Sequence, residues 1–239
     1  LVDQLGIYTL SDKNIINLVD ELTKIYQSFG YNNIVINTNS EIYDNNSADL
    51  FLTFKEGKIT KITRINFSGN DNIDKSIIMS KIKSKTKTIR NIFANNNFKI
   101  FQINNDVNRI AKFYKTQGYK DVKVSYDVEY FSSNKVEINF KVKEGKKYYF
   151  SNMQINNNLT EEEKINNDLE LLIEKTSIEG QHYNFEKIDD LEIEIADILE
   201  ISGEQFFQIN TYEKIVDNNA DILFEIQKTN VTYINQINI

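Results

Sequence analysis

Residues 110–145, IAKFYKTQGYKDVKVSYDVEYFSSNKVEINFKVKEG, decide how this chain folds. A helix stripe of Ile103, Val107, Ile110, Ala111 and Tyr114, at i, i+4, i+7, i+8 and i+11, runs into Gly118. Glycine there ends a helix because it tolerates positive φ, and Tyr119 supplies the hydrophobic contact of the cap. Val122, Val124, Tyr126, Val128 and Tyr130 then alternate with polar residues, as do Val136, Ile138, Phe140 and Val142. Such alternation predicts two half-buried strands, joined by the turn Ser132-Ser133-Asn134 and ended by Glu144-Gly145. A slip of one residue would turn every apolar side chain to solvent, so the pattern also fixes the register.

The same phrase returns along the chain. Gly118 minus Gly30 is 88, Gly145 minus Gly57 is 88, and Gly203 minus Gly118 is 85. That period is too long for a helical or leucine-rich solenoid and long enough for each unit to hold a small core. Upstream of the quoted stretch, ITRINF at 62–67 predicts a short strand with Ile65 and Phe67 on one side, and Ser68-Gly69-Asn70 a turn. Asp71 or Asp74 then caps a helix carrying Ile77, Ile78 and Ile82, and an Asn-rich loop at 91–97 leads to the second helix. The unit reads strand, helix, helix, strand, strand: an α+β fold with a three-stranded sheet covered on one face by two helices.

The first unit, 1–57, shows only the second half of this pattern. Its helix stripe is Ile15, Leu18, Val19, Leu22, Ile25, Tyr26 and Phe29, and strands are expected at 34–38 and 50–54. Lacking an opening strand, it should carry an exposed sheet edge and a thin core. A complete unit follows at 58–145 and a divergent one at 146–229. The latter has strands near Met153 and Ile155, Phe207 and Ile209, and Ile222 to Ile226, with helices around Leu169, Leu172 and Ile173 and from Ile188 to Leu199. VTYINQINI, in 230–239, reads as the first strand of a further unit, so the chain is expected to be a piece of something longer.

Composition removes several classes of function. A content of 40% hydrophobic and 26% charged residues describes a folded chain, not a disordered one. The net charge of −7 argues against nucleic acid, whose binding needs clustered cations. Lys81, Lys83, Lys85, Lys87 and Arg90 read as a solvated helix end and loop, with an acidic partner or lipid headgroups as the alternative. Absence of Cys excludes disulfides, metal thiolates and thiol nucleophiles. The single His182, beside Gln181 and Tyr183, has a surface or capping role. Glu161-Glu162-Glu163 behind Thr160 suits a helix N-terminus. A carboxylate-based hydrolase, the alternative from another class, would need two acids across a cleft, not in a row. No GxGxxG or P-loop occurs, and no catalytic, cofactor or metal residues are expected.

Tyr114-Lys115-Thr116-Gln117-Gly118-Tyr119, followed by two strands, Glu144-Gly145 and a new strand, resembles the pattern of POTRA domains. Tyr26 to Tyr31 and Glu56-Gly57 repeat it, with Gly69-Asn70 as the second unit's opening turn. The array resembles the periplasmic arm of BamA-type β-barrel assembly proteins over nearly the whole chain. The resemblance implies a non-enzymatic periplasmic scaffold of an outer-membrane protein assembly factor, attached to its own C-terminal membrane barrel. Its partners would be unfolded barrel proteins and accessory assembly lipoproteins, added as strands to the second strand of a unit. In the middle unit that edge comprises Lys120, Val122, Lys123, Val124, Ser125, Tyr126, Val128 and Tyr130. The competing reading of Lys120, Lys123 and Glu129 is protection of that edge from aggregation. An arm of a secretion pore or organelle import channel is the alternative within the same fold. The third unit departs from the pattern: Leu199 and Glu204 stand at the Tyr positions, and Asn156-Asn157-Asn158 replaces the Gly turn, with an Asn expected in the left-handed region.

Overall fold

The computed structural model describes residues 9–88, 92–176, 178–229 and 236. Its elements are α1 (Asp12–Phe29), β1 (Val35–Ile42), β2 (Ala48–Lys55), β3 (Lys61–Ser68), α2 (Lys75–Lys81), α3 (Ile100–Thr116), β4 (Lys123–Ser132) and β5 (Lys135–Lys143). They continue as β6 (Tyr149–Asn157), α4 (Glu163–Thr176), α5 (Phe185–Ile201), β7 (Phe207–Val216) and β8 (Asn219–Lys228). The expected strand within 230–239 falls almost wholly outside the described residues. Among the described residues three sheets form, with orders β1-β2, β3-β5-β4 and β6-β8-β7. In each complete sheet the opening strand pairs parallel with the last strand, which lies in the middle. A parallel pair needs a crossover, and the two helices between the strands supply it.

The chain divides into two compact units, residues 1–111 with 124–143, and residues 112–123 with 144–239. In the first, Ile62, Ile65, Ile78, Phe98, Ile103, Ile110, Val136, Ile138 and Phe140 are buried. Central β5 carries the burial, while β4 at the edge is at most half-buried and Tyr130, assigned inward by alternation, is 57% exposed. Ile77 of the expected helix stripe is also exposed. Glu137, which alternation sets opposite the apolar face of β5, is buried and pairs with Arg64 at 2.8 Å. The two-stranded sheet has the thin core expected of it: of α1's stripe only Leu18 is buried. Of the two candidate caps it is Asp74 that caps α2, accepting from Ser76 N at 2.7 Å.

In the second compact unit, Phe150, Ile165, Leu169, Ile188, Leu191, Ile195, Leu199, Ile222, Phe224 and Ile226 make one core. No Asn at 156–158 has positive φ; among the described non-Gly residues only Asn46, Phe206 and Asp217 do. The strand simply runs on to Asn157, whose Oδ1 accepts from Leu159 N at 3.1 Å while Asn158 N bonds the Ile226 carbonyl at 2.8 Å. An Asx turn thus replaces the glycine turn and needs no left-handed residue.

The recurring phrase now has a backbone meaning. Gly30 and Gly118 have φ of 101° and 96°. Tyr31 N bonds the Tyr26 carbonyl, Tyr119 N the Tyr114 carbonyl and Glu204 N the Leu199 carbonyl, at 3.0–3.1 Å. These are the six-to-one bonds of a Schellman cap, so the third repeat keeps the cap although both of its tyrosines are gone. Gly30 and Gly118 also hold the residue that leads into the next strand: the Gly30 carbonyl accepts from Thr60 N, and the Gly118 carbonyl from Tyr148 N, both at 2.9 Å. A side chain from the following interhelical loop completes the clasp. Asn97 Nδ2 lies 3.2 Å from the Phe29 carbonyl, and His182 Nε2 lies 3.1 Å from the Thr116 carbonyl. The lone histidine therefore caps a helix end distant in sequence.

A Cβ on Gly118 would lie 3.0 Å from the Tyr148 carbonyl oxygen and 3.2 Å from His182 Cβ, whereas one on Gly203, at φ of 90°, would meet nothing within 4 Å. Gly203→Ala should therefore cost about 1 kcal/mol from the left-handed penalty alone. Gly118→Ala should cost about 2.5 kcal/mol, because a tight backbone contact is added. Urea unfolding of both variants checks this order, and equal losses would show that the clasp does not constrain Gly118.

Candidate functional site

The second half of the phrase explains the acidic residue at the unit end. Glu144 is buried, and its Oε1 accepts from the Tyr114 hydroxyl at 3.1 Å. In the first repeat, partial burial and then the Glu56 carboxylate push the Tyr26 phenol above its ordinary pKa. Tyr and Glu of the phrase are thus hydrogen-bond partners. The register places Asn219 opposite Tyr149 as Lys135 lies opposite Lys61, so Lys228 stands where Glu144 does. The third repeat has lost both members together, with Leu199 buried and Lys228 exposed. Truncating one member alone strands a buried polar group, so joint replacement is the inexpensive route.

The candidate partner-binding strand is placed at an edge. In the order β3-β5-β4, β4 has a neighbour on one side only. Lys123, Val124, Ser125, Tyr126, Val128 and Tyr130 lie on it, while Lys120 and Val122 precede it in the turn after α3. The Lys120 ammonium pairs with Glu213 and sits 4.9 Å from the Tyr183 ring centroid. Burial lowers its pKa, as expected for an ammonium taken from water. Between β4 and α3 runs a shallow groove of about 330 Å³, lined by Asn104, Val107, Asn108, Val124, Ser125 and Tyr126. The Tyr126 hydroxyl crosses it to Asn104 Oδ1 at 2.9 Å. Lys123 and Glu129 are exposed, and Tyr130 and Phe131 present aromatic surface at the strand's far end. An open strand edge beside a groove has the geometry that main-chain pairing requires.

Among the described residues no group of three or more His, Asp and Glu side chains could hold a metal ion, and no helix is long and apolar enough to cross a membrane. Glu162 N donates to Thr160 Oγ1 at 3.3 Å ahead of α4, so the acidic run stands at a helix start as its sequence indicated. Sequence reasoning also missed the buried carboxylate of Asp106, which accepts from Lys83 N, Ser84 N and Arg109 Nη1 at 2.8, 2.9 and 2.7 Å. It ties the loop after α2 to α3 and thereby holds the helix that walls the groove.

Residues 60–145 match the family model described as POTRA, surface antigen variable number repeat. The outer membrane protein assembly factor BamA of Neorickettsia risticii is 27% identical over 199 residues, covering 82% of this chain and 26% of that protein. BamA of Buchnera aphidicola is 30% identical over 180 residues, covering 74% and 28%. The chain thus spans about a quarter of the length of the curated relatives it matches. The crystal structure of Haemophilus influenzae BamA POTRA3-5 aligns with 92% of this chain and 83% of that one, at 14% identity and a TM-score of 0.47. Residues 60–145 belong to the POTRA family, and over 180 to 199 residues the chain is similar to part of the outer membrane protein assembly factor BamA.

Proposed function

We propose that this array serves as the periplasmic scaffold of an outer-membrane protein assembly factor and receives unfolded barrel proteins or accessory assembly lipoproteins by strand addition. The observation that carries the reading is β4, a ten-residue strand with one open side and a groove against α3. Main-chain pairing suits a scaffold with many clients, because it reads backbone and tolerates varied side chains. We further propose the units 58–145 and 146–229 as successive domains, with 1–57 the second half of another and 230–239 the start of a fourth.

The test uses a labelled ten-residue peptide of alternating apolar and polar residues, the pattern of a barrel strand. Along a strand, successive N–H groups point to opposite sides, so of Val124→Pro and Ser125→Pro one removes a bond to β5 and the other an outward N–H. Circular dichroism identifies the variant that stays folded, and its peptide affinity should fall about tenfold, near the upper range for one lost ladder bond. Charge reversals on α3 should change affinity less. Undiminished binding by the folded proline variant would return β4 to the protective reading.

A further inference from the structure

The third sheet also has an open side at β6, and half of that edge already shows what fits there. Phe150 N donates to the Gln181 carbonyl at 2.8 Å and the Phe150 carbonyl accepts from Gly180 N at 2.9 Å, with an antiparallel bridge between Tyr149 and His182. A short segment of the chain's own loop is thus added to the start of β6. Beyond it no backbone group of the described residues bonds to β6 on this side. Asn158 N faces β8, so by alternation the main-chain groups of Asn157, Ile155 and Met153 point off the sheet.

Alongside this vacant stretch lies a groove of about 690 Å³ between β6 and α4. Met153, Ile155, Leu169, Ile173 and Leu223 supply its apolar lining. Glu170 and Glu174, one helical turn apart on α4, line the same groove and make no ion pair among the described residues. Open strand edge, apolar floor and acidic wall are three features of one cleft. The groove beside β4 is lined by no carboxylate, so the two differ in charge.

We propose that the β6–α4 groove is a second polypeptide-binding site, taking an extended segment of a partner protein that pairs with Met153 to Asn157. The bound segment lays an apolar side chain on the floor and directs Lys or Arg at Glu170 and Glu174. Among the described residues about 17 Å of strand is vacant, from five residues at the rise of an extended chain, so the segment contributes four to six residues. The site is independent of the β4 edge, and it selects for cationic segments where β4 does not.

The test is fluorescence anisotropy of the whole chain with a labelled peptide of alternating Ile and Thr carrying Lys at both ends. Glu170→Gln with Glu174→Gln should weaken binding about tenfold, and the proline variant of β4 that stays folded should leave this component unchanged. N-methylation of alternate residues should abolish binding in one phase and spare it in the other, since only one edge of the peptide pairs with β6. Hydrogen exchange should show new protection at Met153, Ile155 and Asn157. Equal binding by the double variant, protection confined to β4, or the same groove covered by a second copy of the chain without peptide would each overturn the proposal. Failure of the β4 proline test would leave this result standing, because the two sites are read by different variants.

Discussion

Replacement of Asp106 by alanine is expected to cost about 4 kcal/mol, the sum of two buried backbone donors left without an acceptor and a broken charged pair. The carboxylate is fully buried and meets Lys83 N, Ser84 N and Arg109 Nη1 at 2.7–2.9 Å. Ser84 is itself buried and takes a further bond from Gln102 Nε2 at 3.2 Å, so water has little access to the released amides. Asp106→Asn should lose about half as much, since its oxygen still accepts one N–H while its amide group faces another donor. Arg109→Ala should lose less again, because Arg109 is 32% exposed and its removal leaves the carboxylate its two backbone donors. Urea unfolding ranks the three variants. Hydrogen exchange at Lys83 and Ser84 should accelerate in Asp106→Ala, and a variant with parental stability and unchanged exchange would remove the carboxylate from this role.

Asp106 also marks what could not be read in the sequence. Its bonds reach a loop more than twenty residues away, and no periodicity announces a polar residue that turns inward from an amphipathic helix. What was legible is local: alternation in β4 and β5, the stripe of α3 and the glycine after it each set a nearest-neighbour geometry. The 88-residue period was legible too, yet its cause was only half visible. Gly118 read as a helix terminator, but its carbonyl also receives Tyr148 N, and His182 closes over the same helix end. Those partners sit 30 and 64 residues onward, and Asn97 replaces His182 in the preceding repeat, so residue type gave no repeating mark. Glu144 was noted as half of an acidic-Gly junction, while its bond to Tyr114 explains why that Glu belongs with that Tyr.

The same contrast between pattern and partner governs the groove. Alternation identified β4 as a strand, but only the sheet order β3-β5-β4 places it at an edge, because sequence neighbours need not be sheet neighbours. Lys120 illustrates the limit of strand reasoning. It continues the alternating run in sequence, yet it stands in a turn and directs its ammonium to Glu213 and Tyr183.

Gly69→Ala should be the most damaging Gly-to-Ala change among the described residues, at about 4 kcal/mol, combining the left-handed penalty with a clash that only backbone movement can relieve. Gly69 follows β3 with φ of 73°, and a Cβ there would fall 2.1 Å from the Val142 carbonyl oxygen. That oxygen belongs to β5, the central strand, which is hydrogen-bonded on both sides and cannot shift alone. Ser68 is paired with Lys141 in the parallel register, so displacement at Gly69 would work back into the β3–β5 ladder. A comparison within the protein isolates the clash. Gly180, at φ of 74°, has nothing within 4 Å of the same added atom, so Gly180→Ala should cost about 1 kcal/mol from backbone strain alone. Calorimetry of the two variants should show the larger fall for Gly69→Ala, with loss of amide protection concentrated in β3 and β5. Equal falls would mean that β5 yields to the added methyl, and the close approach of Gly69 to Val142 would then not be what demands glycine in the opening turn.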